Sequence, residues 1–195
     1  FNFGRYFIYS LMVSYYVQVV GLSPTAAGRR LLVAQIFDFF GKFAAVRLFF
    51  DTSYESDVGR LRRRVSAGGF LLFGLAMLLL TRRPTSLVST DLAVSAALVV
   101  AKLASALHVS GFKANFLDLT SKHAGSLSGA SNTLASASSM LAPLIAAPLI
   151  ADPARGWPSV FALLAAVNFA MALLWYLGAS ATNLDALIED GKTLP

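Results

Sequence analysis

Long apolar runs constrain this chain more than any other feature of its sequence. A helix needs roughly 20 mostly apolar residues to cross the hydrocarbon core of a bilayer. Runs of this kind, separated by short polar connections, predict membrane spans at about 3–20, 26–50, 65–80, 87–110, 124–150 and 159–177. We therefore expect one all-α, six-helix transmembrane domain over residues 1–195, with a short polar C-terminal tail at 178–195.

The balance of residue types supports a lipid environment. Hydrophobic residues make up 56% of the chain and charged residues only 13%, whereas soluble domains carry about 25% charged residues. A chain this apolar has too few polar groups to cover a surface in water. We therefore expect an integral membrane protein. An organelle membrane is one candidate location.

Several kinds of chemistry are excluded by what the sequence lacks. It has no Cys and two His, and it shows no clustered carboxylates and no nucleotide-binding or nucleophile motif. The formal charge of +6 comes from basic residues in the short connections, where they determine topology. We therefore expect no catalytic residues, no cofactor, no metal site and no nucleic-acid partner, and hence no enzyme.

Basic residues are distributed unevenly over the two sides that six spans create. Because the number of spans is even, both termini fall on one side. That side carries Arg5, Arg60, Arg62, Arg63, Arg64, Lys113, Lys122 and Lys192, and the other carries Arg29, Arg30, Arg82, Arg83 and Arg155. Cytoplasmic loops carry the excess of Lys and Arg. We therefore expect the termini on the cytoplasmic side, together with the stretch "LRRR".

Small and polar residues follow one line along the fifth span. At 100° per residue, six residues of this span fall within about 40° of one line along the helix. They are Gly125, Gly129, Asn132, Ser136, Ser139 and Pro143. Such a face either packs closely against another helix or lines a polar cavity. If it packs against protein, replacing Gly129 by Leu should destabilise the fold.

Charged residues inside two spans are unusual for a membrane helix. Gln35, Asp38 and Lys42 lie within about 60° of each other in the second span, and Asp38 and Lys42 can pair at i, i+4. Lys102 in the fourth span has no evident partner in the sequence, although an intramembrane charge is costly. These charges could form an ion or proton path, snorkel to the interface or contact another subunit. We favour subunit contact for Asp38, Lys42 and Lys102.

A polar stripe also follows the first span. Arg5, Tyr9, Met12 and Tyr16 are spaced i, i+4, i+7 and i+11. They form either a cavity face, with Arg5 attracting an anion, or an aromatic belt at the interface. On the first alternative, the candidate substrate or ion path consists of Arg5, Tyr9, Tyr16 and Asn132. His108, beside a connection, is expected to be solvated.

The stretch "SGFKANFLDLTSKHAGSLSGASNTLASASSMLAPLI" resembles the join between the tenth and eleventh helices of the anion:cation symporter family. This family of the major facilitator superfamily comprises sialin-like, vesicular glutamate and sodium–phosphate transporters. The residues that match its pattern are Gly111, Asn115, Asp118, Ala124, Gly125, Gly129, Asn132 and Pro143. "GWPSVF" and "GRLRRRVSAGGF" are similar to two further segments of the same half. The second contributes to a cytoplasmic loop motif of Asp51, Arg60, Arg62, Arg63 and Arg64.

The resemblance implies the C-terminal half of a transporter that rocks two six-helix halves around a site at mid-membrane. The chain departs from the family at "VRLFF" before Asp51 and in the charges of the second span. We therefore favour a non-transporting accessory or structural subunit of a larger membrane complex. The alternative is the C-terminal half of an active organic-anion or phosphate: cation symporter. The partners implied are membrane lipid, other membrane subunits or an N-terminal half, and a small organic anion if transport is retained.

Overall fold

The computed structural model describes residues 2–50, 57–82, 87–152 and 156–189, and the regular structure in these ranges is helical. The helices are α1 Asn2–Tyr15, α2 Pro24–Phe49, α3 Val58–Leu79, α4 Leu87–Leu107, α5 Ala114–Leu119, α6 Ala124–Ala151, α7 Gly156–Gly178 and α8 Leu184–Glu189. A π-helical turn at Tyr16–Val20 extends α1, and another at Val109–Lys113 joins α4 to α5. The prediction of an all-α membrane fold is confirmed.

The first connection shows how local sequence sets the helix ends. Gly21 adopts a positive φ of 79°, which a residue with a Cβ rarely does, and this ends the first helix. Ser23 then caps α2, its Oγ accepting a hydrogen bond from the Ala26 backbone N–H at 3.3 Å. Pro24 occupies the first helical position, where its missing N–H costs nothing. The two helices are therefore joined by a very short turn.

Length and hydropathy alone qualify three helical segments in the described ranges as membrane spans. They are Thr90–Leu119, Ala124–Ala151 and Gly156–Gly178. Helices α1, α2 and α3 do not meet the same limits of length, hydropathy and charge. The regular part of α1 has 14 residues, α2 carries five charges, and α3 begins with several arginines. Helix α2 nevertheless exposes large apolar side chains, among them Phe40 and Phe43, as a lipid-facing helix does.

Close contacts through glycine hold the central helices together. Helix α3 packs along α4 and α7, and α2 packs along α4. A Cβ added to Gly74 would lie 2.6 Å from Phe169 Cε1 on α7, and one added to Gly41 would lie 2.9 Å from Leu103 Cδ2 on α4. Backbone approach of this kind is the main source of helix association in lipid.

An aromatic core joins α1 to α7. The ring centroids of Tyr15 and Phe161 are 4.9 Å apart, and those of Tyr15 and Trp157 are 5.1 Å apart, both edge to face. Phe7 packs against the same two rings from one side. Such pairs contribute about 0.5–1.5 kcal/mol each beyond the area that they bury. This core fixes the position of α1, which carries two residues of the site described below.

Three connections meet at one end of the bundle. Arg62 at the start of α3 pairs with Asp118 at the end of α5. Gly59 lies beside the backbone of Ala181, after α7. Asp185 of α8 accepts a hydrogen bond from Thr120 Oγ1 at 2.6 Å. We call this the basic end, because it carries Arg60, Arg62, Arg63 and Arg64. It is the end that the charge distribution assigns to the cytoplasm.

The small-residue face of α6 points away from the rest of the described chain. Gly125, Gly129, Asn132, Ser136 and Pro143 are exposed and Ser139 is half-buried. A Cβ on Gly129 would meet no atom within 4 Å. Within the described chain Gly129→Leu would therefore meet no neighbour, and the predicted destabilisation requires other protein on this face. Burial of the face against other protein stays a prediction, as does cavity lining.

Candidate functional site

A polar cluster, partly buried, lies where α1, α2 and α4 meet. Its members share direct contacts with one another at membrane depth, and they are Arg5, Tyr9, Gln35, Asp38, Lys42 and Lys102. Charged side chains at such depth usually face a functional path or a polar cavity. The cluster is therefore the candidate functional site.

Gln35 is the centre of the cluster. Its Oε1 accepts hydrogen bonds from the Tyr9 hydroxyl and from Lys102 Nζ, each at 3.1 Å. Its Nε2 donates to Asp38 Oδ2 at 3.2 Å. One neutral amide thus connects residues from three helices, and both ends of its side chain are hydrogen-bonded.

Lys102 has partners inside the chain, which the sequence did not reveal. Its side chain is 3% exposed, and its Nζ lies 3.8 Å from the centroid of the Tyr9 ring as well as near Gln35. A cation over an aromatic face is attracted by the ring quadrupole, most strongly when it is desolvated. The view that Lys102 lacks a partner is therefore wrong.

Asp38 and Lys42 form the ion pair that their spacing predicts. Lys42 Nζ lies 2.6 Å from Asp38 Oδ2. Asp38 is 2% exposed, whereas the Lys42 side chain is 32% exposed. The pair balances one cation of the cluster. Contact of Asp38, Lys42 or Lys102 with another subunit stays a prediction, but it is no longer needed to explain how these charges are tolerated.

The cluster carries an excess of positive charge. Arg5 Cζ lies 5.6 Å from the centroid of the Tyr9 ring, so Arg5 and Lys102 both contact this ring. Three cations share one carboxylate in the cluster. Because the low dielectric of the membrane interior strengthens electrostatic interactions, the excess favours an anion beside Tyr9.

A cavity of about 240 Å³ adjoins the cluster on the side of the basic end. Its walls are formed by Arg5, Asp38, Lys42, Ser105, His108, Val109 and Lys113. His108 is 1% exposed and packs 4.4 Å from the Phe70 ring, centroid to centroid. The expectation that His108 is a solvated interfacial residue is therefore wrong. In the described ranges, no three His, Cys, Asp or Glu residues lie close enough together to hold a metal ion.

Tyr16 belongs to a different polar group from Arg5 and Tyr9. It is fully buried, and its hydroxyl lies 3.0 Å from Ser95 Oγ. Ser95 Oγ donates a hydrogen bond to Asp91 at 3.2 Å. The Asp91 carboxylate also accepts hydrogen bonds from two nitrogens of Arg30, the shorter at 2.5 Å. This group ties α1, α2 and α4 together nearer the end opposite the basic end. Asn132 joins neither group, because it lies on the exposed face of α6.

Arg62 is the buried member of the loop motif. It is 3% exposed, and its Nε lies 2.7 Å from Asp118 Oδ2. Its Nη1 donates to two carbonyl oxygens, that of Ser110 at 2.7 Å and that of Phe49 at 2.8 Å. One guanidinium thus holds the end of α2, the π-helical turn and α5. Asp51, predicted as part of the same motif, lies outside the described residues.

The remaining arginines of the motif have separate roles. Arg60 pairs with Asp57, the residue that caps α3, at 3.2 Å. Arg63 and Arg64 form no ion pair or hydrogen bond with any residue that the structure describes, and they line a surface pocket. The motif therefore combines one structural arginine with a group that faces outward.

The tail contributes a contact that sequence reasoning missed. Asp185 accepts hydrogen bonds from Thr120 Oγ1 at 2.6 Å and from the backbone N–H groups of Ser121 and Lys122 at 2.9 and 3.1 Å. These donors, the Thr120 hydroxyl first, lower the pKa of the Asp185 carboxyl to about 2. Lys122 also pairs with Glu189. Helix α8 is thereby fastened to the connection between α5 and α6.

Residue depth is the sequence signal that finds the cluster. Gln35 lies eleven residues after Pro24, where α2 begins. Tyr9 lies eleven residues before Val20, where the first helix and its π-helical turn end. Both ends lie opposite the basic end, so the two side chains share one level of the membrane. Lys102 lies deeper along α4, but helical side chains point back toward the N-terminus, and its long chain reaches Gln35.

Comparison with known proteins agrees with this architecture. The profile of the Major Facilitator Superfamily matches residues 1–192. The sialins of Ovis aries and Homo sapiens are each 37% identical to the chain over 82 residues, which is 42% of this chain and 17% of each sialin. The resemblance to the anion:cation symporter family is thus confirmed, although the matched stretch spans under a fifth of the length of these relatives. The chain is an integral membrane protein that belongs to the major facilitator superfamily.

Proposed function

We propose that this chain forms the C-terminal six-helix half of an organic-anion: cation symporter, and that the polar cluster is its share of the anion site. The excess positive charge of the cluster carries the proposal. Arg5 and Lys102 both lie against the Tyr9 ring, and the one carboxylate, Asp38, is already paired with Lys42. An anion beside Tyr9 balances a charge that is otherwise costly in the membrane.

The chemistry of the cluster suits a small carboxylate that also carries hydroxyl groups. The Arg5 guanidinium offers a planar pair of donors that matches a carboxylate, and Lys102 offers an ammonium held in place by Gln35. Tyr9 is 43% exposed, so a substrate can reach its side chain. The likeness to sialins supports an organic anion, with phosphate as the alternative that the assay below separates.

The accessory-subunit alternative loses one of its supports. It rested in part on the charges in α2 and α4, of which Lys102 had no evident partner in the sequence. Gln35 and Tyr9 supply partners for Lys102, and Lys42 supplies one for Asp38. The accessory role stays a prediction, and the transport assay distinguishes it from the symporter.

The test is uptake into proteoliposomes that contain the protein purified from its native membrane, with whatever segments or subunits accompany it. Radiolabelled sialic acid, glutamate, lactate and phosphate are offered under an imposed proton or sodium gradient. Replacing Lys102 by Met should lower uptake at least about tenfold, because a lost hydrogen bond to a charged group costs about 1.5–3 kcal/mol. Arg29→Gln, which removes an exposed arginine outside the cluster, is the matched control.

Three results are informative. Uptake of a carboxylate that needs Lys102 but not Arg29 supports the proposal. Unchanged uptake in Lys102→Met assigns the cluster a purely structural role and contradicts the proposal. No uptake of any of the four anions by the unmodified protein, under either gradient, favours the accessory subunit instead.

A further inference from the structure

A surface pocket at the basic end combines arginines with exposed apolar side chains. It has a volume of about 330 Å³, lies between the start of α3 and the end of α7, and is lined by Arg60, Arg63, Arg64, Tyr176 and Leu177. Its lining contains no acidic residue. Neither α3 nor α7 contributes to the polar cluster, so this pocket is separate from the proposed transport site.

The positive charge of the pocket is only partly neutralised within the described chain. Arg60 forms an ion pair with Asp57 at 3.2 Å, but Arg63 and Arg64 have no acidic partner among the described residues. The three arginines are spaced i, i+3 and i+4, so they project from one face of α3. A planar guanidinium is the side chain best suited to bind a phosphate through two parallel hydrogen bonds.

Apolar side chains continue the pocket toward the membrane interior. At 100° per residue, Leu71, Leu75 and Leu78 lie within about 60° of the line through Arg60 and Arg64, and each is 45–47% exposed. On α7, Leu173 precedes Leu177 by one turn, and the two are 59% and 68% exposed. The arginines thus lie at the basic end of a strip of exposed leucines, which we call the leucine strip. It consists of Leu71, Leu75, Leu78, Leu173 and Leu177.

We propose that this pocket binds the phosphate headgroup of an anionic phospholipid, whose acyl chains lie along the leucine strip. The arginines lie at the end assigned to the cytoplasm, where the leaflet carries anionic lipids and basic pockets between helices bind them. Tyr176 is 55% exposed at the same level, where aromatic residues favour the membrane interface. A soluble phosphorylated anion offers the same phosphate but gains nothing from the leucines.

The two tryptophans of the chain give a direct assay. Trp175 is adjacent to Tyr176 of the pocket, and Trp157 lies 18 residues earlier on α7, about 27 Å away along the axis. Replacing Trp157 by Phe leaves Trp175 as the sole tryptophan. The protein is reconstituted in phosphatidylcholine with increasing brominated phosphatidylserine, and quenching of Trp175 gives the binding constant relative to brominated phosphatidylcholine.

The variants are compared in this Trp157→Phe background. The double variant Arg63→Gln/Arg64→Gln should lower the preference for phosphatidylserine at least about fivefold, since each basic residue near an anionic surface contributes a factor of about five. Arg63→Lys/Arg64→Lys should retain part of the preference, because it keeps the charge and loses the planar donors. Arg29→Gln/Arg82→Gln removes the same charge at the opposite end and should leave the preference unchanged.

Soluble competitors separate the two sources of phosphate. Inorganic phosphate and glycerophosphoserine, compared with sodium chloride at equal ionic strength, should not relieve the quenching. Relief at millimolar concentration would overturn the lipid assignment in favour of a soluble anion. Equal quenching by the two brominated lipids, or an unchanged preference in a folded Arg63→Gln/Arg64→Gln protein, would overturn the proposal altogether. Because the readout is binding, failure of the proposed transport activity would not affect it.

Discussion

Replacing Arg62 by Gln should destabilise the bundle more than any other single change of an arginine at the basic end. Arg62 is buried, and three short hydrogen bonds join it to Asp118 and to the carbonyl oxygens of Phe49 and Ser110. Gln is too short and has too few donors to replace them. The substitution therefore leaves one carboxylate and two carbonyl groups without their donor.

The magnitude follows from the geometry of the pair. Removing one partner of a buried ion pair costs about 3–5 kcal/mol. Asp118 is 19% exposed, so water recovers part of the loss, and we expect about 3 kcal/mol. For a chain of this size each kcal/mol lowers the midpoint of thermal unfolding, Tm, by about 2–4 °C. The expected decrease in Tm is roughly 6–12 °C.

Thermal unfolding of the purified protein in detergent, followed by circular dichroism, measures this change. Arg64→Gln is the matched control, because it removes an exposed arginine half a turn away, and its Tm should change by less than about 2 °C. The double variant Arg62→Gln/Asp118→Asn should be little worse than Arg62→Gln alone, since one interaction is removed in both. A Tm for Arg62→Gln within 2 °C of the unmodified protein, or additive effects in the double variant, would refute the reasoning.

Two further predictions concern packing and pH. Gly74→Leu should lower the Tm by several degrees, because the new leucine side chain collides with Phe169. Gly129→Leu should leave the Tm unchanged. Equal effects of the two substitutions in a thermal melt would contradict the positions of both glycines. The pKa of Asp185 lies below its ordinary value of 3.8, at about 2, so its contacts stabilise α8 above about pH 4 and are lost as the pH falls toward 2. A fluorophore attached to Ser180→Cys should become more mobile, and its anisotropy should fall, as the pH falls over that range. The same fall in anisotropy is expected at neutral pH when Asp185→Asn is added. Constant anisotropy would argue against this attachment of α8.

Local features of the site could be predicted from the sequence. The pairing of Asp38 with Lys42 needs only helical spacing, and the structure contains it. The helical line through Gly125, Gly129 and Asn132 is likewise set by periodicity. Both depend on residues within a few turns of one helix, where the geometry of the backbone is fixed by hydrogen bonding.

Contacts between helices could not be predicted in the same way. Lys102 reaches Gln35 and Tyr9 because α1, α2 and α4 are neighbours, and periodicity within a span does not determine which spans are adjacent. The same limit explains His108, which lies next to a polar connection in the sequence but is buried because the π-helical turn folds back against Phe70 on α3. Periodicity also defines the line on α6 without determining which way that line faces.

The polar cluster has a consequence for the order in which the helices enter the bilayer during synthesis. Helix α2 carries Arg29, Arg30, Asp38, Lys42 and Arg47, yet Lys102 lies 67 residues after Gln35 and Asp91 lies 61 residues after Arg30. Ribosomes add about 5–20 residues per second, so roughly 3–13 s pass before α4 emerges. We expect α2 to remain beside the insertion machinery during that interval, shielded from acyl chains. We therefore expect α2 and α4 to leave it as a pair, so that the order of lateral release differs from the order of translation.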